Sequence, residues 1–273
     1  MLFMFLLLPA CSEYTVNEAT TNTVEAPQTS TTFTETNTQT SITTETTTTF
    51  TATTATQIAS APVYANTSTA LYEIVPATGE HQEIGPFTDV ITGDVVEYFV
   101  DIAIDLTGRM VGGTFDELYS INPTTAVVTY LCSPYVDMFA LAFTPDGQLI
   151  AGSDEGVYYL DTFNCDDTPM LTDSEFITSG DLVGLPDGYL YWTVKLEKTD
   201  GLVQIDPSNG TTVFLGDTGF EDIFGLGYDN GSLYGFNALG ETIRISPDTA
   251  SSTLITSSST IQWWGATTNP VKW

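Results

Sequence analysis

The sequence predicts an all-β fold, a β-propeller of five blades with four antiparallel strands in each, on three observations. A turn glycine recurs at Gly108, Gly147, Gly188 and Gly231, in steps of 39, 41 and 43 residues. Each glycine is followed by a strand, a polar turn and a further strand, and four strands in about 40 to 45 residues is a blade period. The array also ends in a half-unit at each end, so that the two ends together make one more blade.

The unit between Ala140 and Leu160 is the cleanest copy. An apolar strand from Ala140 to Phe143 enters a Pro-Asp-Gly turn at Pro145 to Gly147. A second strand runs from Gln148 to Gly152 and a third from Gly156 to Leu160. Short β-rich runs punctuated by Gly, Asp and Pro read as up-and-down strands. The third strands of other units end on a recurring turn: LYSINPTTA (118–126), LVQIDPSNG (202–210) and TIRISPDTA (242–250). Fourth strands follow at Val127, Thr211 and Ser251.

At the N-terminal end, LYEIVPATGEHQEIG (71–85) supplies the last two strands of a blade with no first two before it. At the C-terminal end, IQWWGATTNP (261–270) matches an opening strand. Joined, they form a composite fifth blade that closes the ring without a covalent link. The alternatives are an open solenoid or a sandwich, and an extra strand pair within 88–100 would make six blades.

The expected domain organisation is a signal segment at 1–10, a Thr-rich linker at 11–68 and the propeller at 69–273. The run MLFMFLLLPA is too short to span a bilayer, which needs about 20 residues, and reads as a signal-peptide core; a buried N-terminal strand is the alternative. The linker is dominated by Thr, Ser, Ala, Asn and Glu and has too little apolar surface to offset its ordering entropy. As a coil it would span roughly 40 Å. The tetrad Leu8-Pro9-Ala10-Cys11 resembles the lipobox of bacterial lipoproteins. The resemblance implies acylation of Cys11, cleavage before it, and a lipid-anchored address in the cell envelope facing the periplasm or exterior.

Five Lys and Arg stand against 35 Asp and Glu, a formal charge of −30. Such a field repels nucleic acid and anionic headgroups, which leaves the lipid as the route to a membrane. A monomer is expected. With Cys11 acylated, Cys132 and Cys165 are an even pair in an exported domain and a disulfide candidate; two buried thiols is the alternative.

The chemistry is sparse. His81 is the sole histidine, in a polar turn, and no nucleophile motif accompanies it. Seven residues before the turn glycine, successive units carry Asp101, Ala140, Asp181 and Phe224. Opening strands are innermost in a propeller, so Asp101 and Asp181 are candidate Ca²⁺ ligands facing the channel; the alternative is that each caps backbone N–H groups. Trp192, Trp263 and Trp264 are candidates for a sugar-stacking platform, with core packing as the alternative.

Units such as LAFTPDGQLIAG and LYSINPTTA resemble those of extracytoplasmic propellers of the NHL, YVTN and quinoprotein-like type. That resemblance implies the fold; some of those relatives are Ca²⁺-dependent lactonases or quinone enzymes, and their ligand sets do not map onto this sequence. Two functions therefore compete. One is a non-enzymatic surface module that binds a protein or glycan, and it calls for exposed aromatic side chains on one face. The other is a cation-dependent hydrolase or lyase, and it calls for convergent polar groups at the channel.

Overall fold

A computed structural model describes residues 62–172 and 174–270. Among the described residues every regular element is a strand, and the strands form five sheets. Blade 2 runs outward through β5 (Asp101–Ile104), β6 (Met110–Gly113), β7 (Leu118–Ile121) and β8 (Val127–Cys132). Blade 3 comprises β9 (Ala140–Phe143), β10 (Leu149–Ser153), β11 (Gly156–Leu160) and β12 (Asp167–Leu171). Blade 4 comprises β13 (Thr178–Gly184), β14 (Leu190–Lys195), β15 (Asp200–Asp206) and β16 (Thr211–Asp217). Blade 5 comprises β17 (Ile223–Asp229), β18 (Ser232–Asn237), β19 (Glu241–Ile245) and β20 (Ser252–Ser257). The repeated glycines hold the first turn of each of these blades; Gly147, for example, sits at φ +88°, where a side chain would be strained.

Blade 1 is the composite. Its inner strand is β21 (Gly265–Thr268), followed by β1 (Val63–Asn66), β2 (Ala70–Val75) and β3 (Glu80–Pro86). β21 pairs antiparallel with β1 from Val63–Thr268 to Asn66–Gly265, which closes the ring. The N-terminal side thus contributes three strands where the sequence predicted two, and the boundary expected at residue 69 falls after β1. The reason is local: β1 is four residues, VYAN, beside a stretch rich in Thr, Ser and Ala, too short for its alternation to stand out. The expectations for the signal segment, for Cys11 and for the linker up to residue 61 lie outside the described residues.

Residues 88–100 do not make a sixth blade. They contribute the two-residue β4 (Thr88–Asp89), which pairs parallel with β8 and widens blade 2 to five strands.

The hydrophobic core is divided among the blade interfaces. Leu71, Phe87, Phe99 and Ile102 pack between blades 1 and 2; Val111, Met138, Leu141 and Phe143 pack between blades 2 and 3. Trp192 is wholly buried between blades 3 and 4, and Trp263 lies 2% exposed between blades 5 and 1. Flat rings suit such gaps because they fill wide, thin spaces with little rotamer freedom to lose. Trp192 and Trp263 are therefore packing residues, which removes them from the expected sugar platform; Trp264 is half-buried.

A second contact repeats around the ring, where the end of an outer strand rests on the last turn of the next blade. The turn residue is left-handed every time: Gly79 at φ +71°, Ala126 at +57°, Cys165 at +59°, Gly210 at +71° and Ala250 at +58°. Their neighbours are Thr256, Gly85, Cys132, Met170 and Gly216 respectively. Small residues recur here because two backbones approach closely. At one of the five positions both partners are cysteines, and Cys132 and Cys165 form a disulfide with Cα atoms 5.7 Å apart.

Candidate functional site

The inner strands β5, β9, β13, β17 and β21 follow one another around the axis. Asp101 opens β5, and Asp181 stands midway along β13, two blades away. Both are 0% exposed, and their carboxyl groups hydrogen-bond one another. Asp101 Oδ1 accepts from its own neighbour Ile102 N–H at 2.7 Å, and Oδ2 accepts from Leu141 N–H of β9 at 2.6 Å. Ala266 N–H of β21 also donates to Asp101. Asp181 accepts from Leu182 N–H at 2.5 Å and from Leu226 N–H of β17. The two carboxyls thus tie all five inner strands together. Gly265 makes the approach feasible: a side chain there would set its first carbon 2.3 Å from Asp101 Oδ1.

Burial pushes both carboxyls well above their ordinary range, and the negative charge of Asp101 pushes Asp181 further. Two acids in contact in a desolvated site cannot both ionise, so they share a proton. Ca²⁺ takes six to eight oxygen ligands. The pair instead faces a shell of backbone N–H groups, whose positive ends repel a cation. Among the described residues, no third His, Cys, Asp or Glu completes a metal-binding group. The donor set suits a shared proton and does not fit Ca²⁺. Sequence alignment placed Asp101 and Asp181 correctly at the inner strands, and their partners there are N–H donors and each other.

Below the pair, the axis opens between Ile104, Phe143, Val183 and Thr268 onto a cavity of about 20 Å³. That holds about one water. His81 lies away from the axis, edge-on to Trp263 at 5.7 Å.

The face on which the inner strands begin is different. Between blades 2 and 3 its loops form a cleft of about 290 Å³ lined by Tyr135, Val136, Asp137, Phe139, Ser153, Asp154 and Glu155. Tyr135 is 92% exposed. Phe139 packs edge-on against Phe115 of the blade 2 loop, with centroids 5.4 Å apart. Ile177 and Leu196 extend the apolar edge along blade 4, and Lys195 N–H bonds the Ile177 carbonyl to join their loops. Sequence reading missed these residues, since an aromatic in a short β-rich run looks the same whether it faces core or solvent.

Asp200 was also missed. It opens β15 on this same face, accepts from Ile223 N–H of blade 5 at 2.7 Å, and is 4% exposed. Burial raises its pKa to about 6, against the lowering effect of its bonds to Ser179 and Ile223.

No protein-family model matches the chain, and no curated protein matches it. Solved structures do. A chain of the nidogen/laminin complex superposes with a TM-score of 0.52 at 12% identity, over 77% of this chain and 98% of that one. TolB from Acinetobacter baumannii follows at 0.46 and 15% identity, over 76% of this chain and 53% of that one. The extracellular domain of a one-component system from B. thetaiotaomicron scores 0.42 at 12%, over 73% and 30%. The first of these likenesses shows a shared propeller fold.

Proposed function

We propose that the chain is a non-enzymatic binding module, an exported propeller that captures a protein or glycan on the loop face between blades 2 and 4. The observation that carries this reading is the aromatic edge of exposed Phe115 and Tyr135 with half-buried Phe139 beside them, set against a small axial cavity that holds about one water. A disulfide belongs to an oxidising compartment, so the Cys132–Cys165 bond supports export. The lipobox-like Leu8-Pro9-Ala10-Cys11 extends the reading to a lipid-anchored envelope protein on a Thr-rich stalk.

The test is a binding screen of the purified propeller against glycan and envelope-protein panels, repeated with Phe115→Ser/Tyr135→Ser. A ligand held by the wild type and lost by the variant supports the reading. Binding indifferent to the variant overturns it. For the anchor, Cys11→Ser should move the protein from the membrane to the soluble exported fraction, and an unprocessed N-terminus without acyl mass would exclude lipidation.

A further inference from the structure

We infer that the cleft between blades 2 and 3 takes a cationic polypeptide, one that presents Arg or Lys beside an apolar side chain; this rests on the binding-module reading above. The cleft pairs two features. Tyr135 and Phe139, with Phe115 behind, give an apolar and π-rich wall. Asp137, Asp154 and Glu155 give three exposed carboxylates along the same walls. None of these three carboxylates has a hydrogen-bond or ion-pair partner among the described residues, so their charge is uncompensated. An aromatic face beside carboxylates is the surface that a guanidinium or ammonium group prefers, through cation–π contact on one side and ion pairing on the other.

Charge complementarity also excludes the occupants nearest to hand. The first Lys or Arg of the chain is Arg109, so the N-terminal tract has no basic side chain to offer. A second copy of a chain with net charge −30 would be repelled. A glycan is the other class to consider. Phe115 and Phe139 meet at 68°, edge to face, and do not form the flat two-ring platform on which sugar rings stack.

The probe is a synthetic nonapeptide, acetyl-GRYRGRYRG-amide, measured by calorimetry in 150 mM NaCl, which screens the distant surface charge. Asp137→Asn/Asp154→Asn/Glu155→Gln should weaken binding about 10-fold, the scale that three partly exposed ion pairs give. Glu73→Gln/Glu80→Gln/Asp248→Asn removes the same charge from exposed positions elsewhere and should change it less than about 2-fold. Phe115→Ser/Tyr135→Ser should weaken it by a similar factor to the cleft triple. Equal losses from the two charge triples would overturn the inference, because the peptide would then be reading the whole surface. No peptide binding, with a neutral glycan held by wild type and lost by Phe115→Ser/Tyr135→Ser, would overturn it while leaving the binding-module reading intact. If no probe of either class responds to Phe115→Ser/Tyr135→Ser, both fall.

Discussion

Replacing Asp181 by Asn tests how the centre of the ring is held. Both oxygens of Asp181 accept a backbone N–H, from Leu182 and from Leu226, while the group also hydrogen-bonds Asp101. A carboxylic acid meets all three demands, because a hydroxyl oxygen can donate and still accept. An amide cannot: its nitrogen donates to Asp101 but has no lone pair for the N–H it then faces. The net charge of the pair is unchanged, since one proton is already shared. Asp181→Asn therefore strands one buried backbone N–H, at a cost of about 1–3 kcal/mol. For a domain of this size that lowers Tm by about 2–12 °C. Asp181→Ala strands both N–H groups and leaves Asp101 without its partner, so it should melt lower still. Thermal melts followed by near-UV circular dichroism at pH 7, with urea titrations alongside, give both numbers. If Asp181→Asn melts at or above the wild type, or Asp181→Ala melts no lower than Asp181→Asn, the account of the pair as an N–H acceptor is wrong.

Three other outcomes follow from the buried Asp200, the disulfide and the ring seam. Since burial raises the folded pKa of Asp200 to about 6, above its unfolded value, its stabilising contribution is complete below about pH 4 and is lost as pH rises through 6. Asp200→Asn should flatten that part of a Tm-against-pH curve, and an unchanged slope would show that another group titrates there. Reducing the disulfide, or making Cys132→Ala/Cys165→Ala, releases a loop of 33 residues and should cost about 3–4 kcal/mol on the chain-entropy account. A urea midpoint unmoved by the double substitution would refute that. Deleting residues 262–273 removes β21, leaves β1 an open edge and takes the Ala266 donor from Asp101, so cooperative melting should give way to aggregation. A truncated chain that melts like the intact one would mean that the seam is dispensable.

The repeat carried most of the fold into the sequence because its constraints are local. Gly147 and its equivalents sit where the backbone turns left-handed, and Ala126, Gly210 and Ala250 sit where one blade touches the next, so both leave a fixed residue type at a fixed spacing. β1 escaped notice because its pairing with β21 spans the length of the domain and its four residues carry little pattern. Asp101 and Asp181 were visible as positions, but their chemistry depends on a meeting across the ring between residues 80 apart. Phe115 and Tyr135 were hidden for another reason: in a chain with 15 Phe and 13 Tyr spread through short β-rich runs, nothing local separates a ring in solvent from one between blades.

The direction of β1 gives the disc a front and a back. Val63 pairs with Thr268, the end of the inner strand beside the narrow axial cavity, whereas Asn66 pairs with Gly265 on the loop face. The polypeptide therefore enters the propeller from behind, on the side away from Tyr135 and the acidic cleft.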